Sequence, residues 1–351
     1  MMVETSDKKP EDNRSSLPGA ARPRVLVLCS DALFPHFFPE DVRSRLSRVA
    51  DWERHAGRED SPPLRELIAR SDALLTTWHS PFIRAEMLGH EPRVGLIAHC
   101  GGEVKARIEE VVFDRVTITN APEPMAAPVA EMALAMTLAL VRRLPQYERE
   151  MRAGGNVDNR LASEGETLSG RRVGIIGFGR IGHAFAHLIE PFSTELYISD
   201  PRCSSELATG HKARLVELDE LLKSCSVVVL AAGLTPLTRR MLDARSLALM
   251  QDGSYLVNVA RGGLVDLEAL LMELRTGRIS AALDVTDPLE PLPADHELRR
   301  LPNVILTPHI AAGGVEVRRA MGATAVEDVA RFFGGERPRN VVTREMLATM
   351  T

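Results

Sequence analysis

The stretch from Arg172 to Asp200, RVGIIGFGRIGHAFAHLIEPFSTELYISD, constrains the fold of this chain more than any other. A short apolar run over 173–176 ends in Gly177, Gly179 and Gly182 at GxGxxG spacing. An amphipathic segment follows, and a second apolar run over 196–199 ends on Asp200. Strand, tight turn, helix and strand in that order make half of a dinucleotide-binding fold. Gly177 lets the chain turn sharply off the strand, Gly179 exposes backbone to a pyrophosphate, and Gly182 lets the helix pack closely. Arg180 and Ile181 open that helix, whose unpaired N–H groups and partial positive charge suit phosphate. Asp200 stands where a carboxylate accepts hydrogen bonds from the adenosine ribose. Its charge repels a 2′-phosphate, so NAD is expected over NADP, a preference that the neighbouring Arg202 softens.

A length of 351 residues implies about two domains. The net charge is −5 and the pI about 6.1, with no basic stripe of the kind that binds nucleic acid. Cys29, Cys100, Cys203 and Cys225 stand singly, so neither a zinc site nor a disulfide framework is expected, and Cys100 reads as a small buried hydrophobe. That usage fits the reducing cytoplasm. The first residues lack an apolar signal core, and the most apolar run, 129–140, is short for a bilayer and carries Glu131. No membrane or nucleic-acid partner is expected.

Residues 1–23 read as a disordered tail. Strands are expected over 24–28, 73–77, 94–98 and 116–119, with helices over 41–49 and 64–69 and a loop over 34–39. A long helix over 128–152 follows the Asn120–Pro124 break, with Pro145 expected to kink or divide it. Residues 154–165 are polar and loop-like. Further strands are expected at 173–176, 196–199, 227–230, 255–259, 279–283 and 304–307, then a helix over 315–333 crossing back to the first unit. Alternating strands and helices mean α/β architecture with doubly wound parallel sheets.

Ligands of such sheets lie at the carboxyl ends of the strands, where three candidates fall. Arg261 follows the strand at 255–259, Glu290 lies in the proline-rich loop after 279–283, and His309 follows 304–307. Together they suit a 2-oxo acid. A guanidinium forks onto its carboxylate and carbonyl oxygen, an imidazole supplies the proton, and a carboxylate on the other ring nitrogen orients it. On position alone, each also fits a blander role: a turn histidine after proline, a solvated turn charge, a surface acid.

Asn258-Val259-Ala260-Arg261-Gly262-Gly263-Leu264-Val265-Asp266, the glycine fingerprint and Leu306-Thr307-Pro308-His309-Ile310 together resemble the D-isomer-specific 2-hydroxyacid dehydrogenases, from Arg24 to the C-terminus. The resemblance implies two Rossmann-like domains: a flavodoxin-like substrate domain over 24–123 plus 310–351, and an inserted NAD-binding domain over 124–309 that includes the linking helix. It implies that Arg261 binds substrate carboxylate, that Glu290 pairs with His309, and that His309 moves the proton. Ala260 and Asp284 fall at positions that face the cofactor. A loop matching 99–104 would hold the carboxylate through the backbone of Gly101 and Gly102. The resemblance further implies homodimers built mainly through the nucleotide domain, and cleft closure on ligand binding.

The chain departs from the family pattern in places. The usual Gly-x-Gly of the carboxylate loop is Cys100-Gly101-Gly102-Glu103, which places a negative charge beside an anionic substrate. Ala231-Ala232-Gly233 stands where many members carry His-x-Pro, and the stretch from Asp284 to Glu290 is one residue longer than the commonest form. The expected function is hydride transfer between NAD(H) and a 2-oxo acid/D-2-hydroxy acid pair. The alternative is an NAD-sensing, corepressor-like binding protein on the same fold, which turnover against 2-oxo acids would separate. Specificity is expected from loops around His79, Cys100 and Met125 and from the partner-facing helix near Leu298.

Overall fold

A computed structural model describes residues 22–155, 165–348 and 350. The tail expected over 1–23 and the polar loop over 154–165 lie almost wholly outside these residues. Short apolar runs form two sheets, with every strand pair parallel. The first sheet holds β1 (Arg24–Leu28), β2 (Asp51–His55), β3 (Ala73–Thr76), β4 (Leu96–His99) and β5 (Thr117–Asn120), in the order β2-β1-β3-β4-β5. This is the flavodoxin-like order. The second holds β6 (Arg172–Ile176), β7 (Glu195–Ser199), β8 (Arg214–Leu215), β9 (Val227–Leu230), β10 (Tyr255–Asn258), β11 (Ser280–Leu283) and β12 (Val304–Leu306). Its order is β12-β11-β10-β9-β6-β7-β8, which reverses direction between β6 and β9.

The strands read as unbroken apolar runs because both faces of each sheet are covered. Along β1, Val25 and Val27 enter one core while Leu26 and Leu28 enter the other. Along β9, Val227 and Val229 divide from Val228 and Leu230 in the same way. The crossing helix Val315–Phe333 buries Val317, Met321, Ala325 and Val329 against the first sheet. Gly322 lets it approach closely, since a Cβ there would lie 1.9 Å from the carbonyl oxygen of Phe37. The C-terminal segment returns to the same sheet, where Val342 N–H donates to the Ile118 carbonyl at 2.8 Å.

Four expectations are corrected. Residues 34–39 are not all loop: Phe34–Phe37 forms a short helix whose Phe37 side chain is buried. The edge strand β2, DWERH, was missed because its charged, half-exposed pattern lacks an apolar run. The two-residue β8 was missed for want of length. The long helix begins earlier, at Glu123, and ends at Val141. A second helix, Leu144–Arg152, starts after Arg143 adopts left-handed φ 52°, and Pro145 sits in its first turn, where a missing N–H is harmless.

At 19 residues, the helix Glu123–Val141 is long and apolar enough to cross a bilayer by length and composition. Its Val129, Ala130, Ala133, Met136 and Leu140 instead pack into the core of the second sheet. Its apolar character is thus that of a core helix linking the two units.

Gly322→Ala should destabilise the protein by about 2 kcal/mol, because the methyl group meets fixed backbone rather than a movable side chain. Chemical denaturation checks this; an unchanged midpoint would mean that the helix does not seat on Phe37.

Candidate active site

The glycine loop lies at the point where the second sheet reverses order, and its three glycines act as their spacing predicts. Gly177 has φ 89°, and a Cβ there would lie 2.4 Å from Ala232 Cα. A Cβ on Gly182 would lie 2.5 Å from the Gly177 carbonyl oxygen, whereas nothing stands within 4 Å of the same position on Gly179. That open backbone borders a groove of about 680 Å³ lined by Glu123, Ala126, Phe178, Gly179, Arg180 and His183. Arg180, exposed at the helix start, faces Glu123 at 3.6 Å, while Ile181 packs on the core.

Asp200 accepts from the Phe178 N–H at 2.6 Å and from the Arg202 N–H at 2.8 Å. Its carboxylate thus fixes the loop as well as standing at the end of β7. The Phe178 ring packs on His183, with centroids 4.1 Å apart, and His183 Nδ1 meets His211 Nε2 at 3.2 Å. Burial holds both imidazoles below the ordinary histidine range. Sequence reading did not identify this histidine packing, because His211 lies in a separate helix–strand connection.

Arg261, Glu290 and His309 all follow carboxyl ends of strands. His309 Nδ1 lies 3.0 Å from Glu290 Oε2, with both side chains about half exposed. Arg261 donates from Nη1 to the Ala260 carbonyl at 2.8 Å. Its turn is fastened by buried Asn258, whose Nδ2 donates to the Arg261 carbonyl and whose Oδ1 accepts from the Ala260 N–H, each at 3.0 Å. Both backbone polar groups of Ala260 are therefore engaged within the protein. A Cβ on Gly262 would fall 2.2 Å from the Thr286 carbonyl carbon, so the Arg261 turn runs against the segment leading to Glu290. Burial lowers the Arg261 pKa, and the nearby carboxylates of Glu103 and Glu290 oppose that shift.

Asp284 is 1% exposed. It accepts from Thr307 Oγ1 at 2.5 Å, from the Ile310 N–H at 2.9 Å and from the Ala311 N–H at 2.8 Å, while its carbonyl accepts from the His309 N–H at 2.8 Å. The structure thus gives the side chain a positioning task that its expected place beside the cofactor did not reveal.

In the loop expected to hold the carboxylate, the Gly101 N–H donates to the His99 carbonyl at 2.9 Å. The Gly102 N–H has no partner among the described residues, and the Gly102 carbonyl accepts from Asn120 Nδ2 at 2.7 Å. Cys100 is buried, as expected. Leu298 is 1% exposed within the core of the second sheet.

A sequence model described as "D-isomer specific 2-hydroxyacid dehydrogenase, NAD binding domain" matches residues 134–311. The chain belongs to the D-isomer-specific 2-hydroxyacid dehydrogenase family. It is similar to the glyoxylate reductase of Thermococcus onnurineus, at 37% identity over 81% of this chain and 86% of that protein. The D-3-phosphoglycerate dehydrogenase of Methanocaldococcus jannaschii is 32% identical over 91% of this chain and 59% of its own length. The crystal structure of the TT0316 protein of Thermus thermophilus matches with TM-score 0.78 at 33% identity, covering 91% of this chain and all of that one. The dehydrogenase is therefore an NAD-dependent oxidoreductase acting on a small 2-oxo or 2-hydroxy acid. Its open Gly179 backbone, the helix N-terminus at Arg180 and the carboxylate of Asp200 fit that cofactor.

Beside the carboxylate loop, His99 is 1% exposed and shares a 2.8 Å hydrogen bond between its Nδ1 and Thr76 Oγ1. Burial, aided by the charge of Arg107, pushes its pKa down to about 3. An unfolded imidazole protonates near pH 6.5, so below that the unfolded chain binds the extra proton and stability falls as pH drops toward 3. His99→Asn should flatten the loss of stability between pH 7 and pH 5, measured by urea midpoints. Equal slopes in the two proteins would remove His99 as the cause.

Proposed function

We propose that the dehydrogenase interconverts a 2-oxo acid and a D-2-hydroxy acid, with His309 as the acid/base and Arg261 as the substrate anchor. The observation that carries this reading is the 3.0 Å contact between His309 Nδ1 and Glu290 Oε2, beside the Arg261 turn. NAD(H), when bound, supplies or accepts the hydride at the substrate C2 carbon.

Glu290 accepts from Nδ1–H and orients the ring, which leaves Nε2 to handle the substrate proton. In reduction, His309 donates that proton to the forming alkoxide; in oxidation, the neutral ring removes it. The Arg261 guanidinium holds the carboxylate and stabilises negative charge building on the carbonyl oxygen. The Gly102 N–H adds a backbone donor for the carboxylate.

In the same reading, the substrate domain comprises 24–123 plus 310–351 and the NAD-binding domain 124–309. The protein works as a homodimer in the cytoplasm. The dimer is supported by the helix Leu144–Arg152, which contributes no buried residue while Leu144 and Met151 are 55% and 62% exposed. Free thiols on all four cysteines fit a reducing compartment.

His309→Gln should lower turnover by about a hundred- to ten-thousand-fold and leave NAD affinity within a few-fold. Unchanged turnover would remove the proposed acid. A pH series provides an independent check: reduction should fade once the imidazole loses its proton, and oxidation once it gains one. A flat profile with hydride transfer rate-limiting would argue against His309. A panel of glyoxylate, hydroxypyruvate, pyruvate, 2-oxoisocaproate and 3-phosphoglycerate, the last tested in oxidation, would rank the substrates.

A further inference from the structure

Arg318 carries a guanidinium that the fold leaves unsatisfied. It stands in the first turn of the crossing helix Val315–Phe333, which the chain enters soon after His309. Its neighbour Arg319 forks onto the Asp41 carboxylate, with contacts of 2.7 and 3.2 Å. Arg318 has no carboxylate at ion-pair distance among the described residues, and its Nε is buried without a hydrogen-bond partner. The guanidinium carbon lies instead over the half-buried Trp78 indole, 5.9 Å from the ring centre. The Phe37 ring meets that indole edge-on, with centroids 5.3 Å apart.

Trp78 links this guanidinium to the loop expected to hold the carboxylate. The indole Nε1 and His99 Nε2 each lie 2.7 Å from the point that a Cβ on Gly101 would occupy. His99 Nε2 is also buried without a partner. Arg107, whose N–H donates to the Val104 carbonyl at 3.0 Å in the turn after this loop, buries a third such atom, its Nε. The loop's own carboxylate, Glu103, accepts from the Ala106 N–H at 2.7 Å and reaches neither guanidinium at ion-pair distance. Buried polar atoms are normally satisfied, so a group of orphans at one place marks where a partner belongs. Arginine and the indole N–H only donate, and a guanidinium is charged, so the partner that suits them is an anionic acceptor.

We propose that Arg318, stacked on Trp78, is a second anion anchor of the substrate cleft, and that the preferred 2-oxo acid carries a carboxylate or phosphate beyond its reacting carbon. Arg261 receives the C1 carboxylate and Arg318 the distal group. A guanidinium lying on an aromatic face keeps its in-plane N–H groups free for a forked bond to such a group. An acid with a neutral tail leaves those donors unmet as the cleft loses water, and that cost sets its disadvantage.

This inference rests on the reductase reading, and one experiment separates their failures. With saturating NADH, kcat/KM is measured for oxaloacetate against 2-oxobutyrate and for 3-phosphohydroxypyruvate against hydroxypyruvate. The wild type should prefer the more anionic member of at least one pair by about tenfold, and the pair that shows it distinguishes carboxylate from phosphate. Arg318→Gln should erase that preference, mainly through KM, whereas Arg318→Lys, which keeps the charge without the flat fork, should retain part of it. NADH affinity, read by fluorescence in each variant, reports an intact fold. Wild-type preference for the neutral-tailed acid in both pairs, or a preference that Arg318→Gln leaves unmoved, overturns the proposal and leaves the reductase reading intact. NADH binding without turnover of any 2-oxo acid overturns both.

Discussion

The reacting end of this molecule depends on one buried carboxylate. Asp284 gathers Thr307, Ile310 and Ala311 onto its two oxygens, and its carbonyl receives the His309 N–H. These contacts bracket His309, whose φ of 53° lies in the left-handed region that a side chain disfavours. Such a conformation costs about 1–3 kcal/mol. Hydrogen bonds to a charged group each contribute about 1.5–3 kcal/mol, so three outweigh the strain. The left-handed turn is therefore a stable state of this chain, and it points the imidazole into place before any ligand arrives. Removing one partner from a buried charged network costs about 3–5 kcal/mol, so Asp284 supports stability and site geometry together.

The same turn marks where the chain leaves the second sheet and returns to the first. β12 ends at Leu306, and the crossing helix begins at Val315 and packs on β1-side residues through Gly322. His309 thus sits on the covalent connection between the two units. Arg261 and Glu290 belong to loops of the second sheet, and Gly101 to Glu103 to a loop of the first. Parallel sheets place all these loops at strand carboxyl ends, and the Arg261 turn meets the segment leading to Glu290 there, with Glu290 on His309.

Much of this was legible in the sequence, for reasons that differ between residues. Gly177 and Gly182 are forced by close backbone contact, and a missing Cβ is visible in sequence as glycine. Buried parallel strands such as β9, VVVL, announce themselves by unbroken apolar runs. What stayed hidden depends on partners remote in sequence. Asn258 and Thr307 look like ordinary polar residues at strand ends, and only the fold shows one fastening Arg261 and the other fastening Asp284. The occupied Gly101 N–H is a local turn that GG cannot specify. Leu298 belongs to the core because its 3₁₀ turn folds inward, which the sequence around it does not announce.

The exposure of the central pair bears on how the site works. His309 and Glu290 are 48% and 37% exposed at the side chain. An ion pair that wet contributes about 0–1 kcal/mol, since water competes for both partners. In the state described, Glu290 therefore acts on His309 mainly through direction: it fixes which ring nitrogen carries the proton it accepts. The same 3.0 Å contact strengthens steeply as water leaves, because the interaction scales inversely with the local dielectric. Arg261 is half-buried, and burial already lowers its pKa. In the proposed mechanism, His309 thus acquires its full electrostatic support only when the cleft is dry.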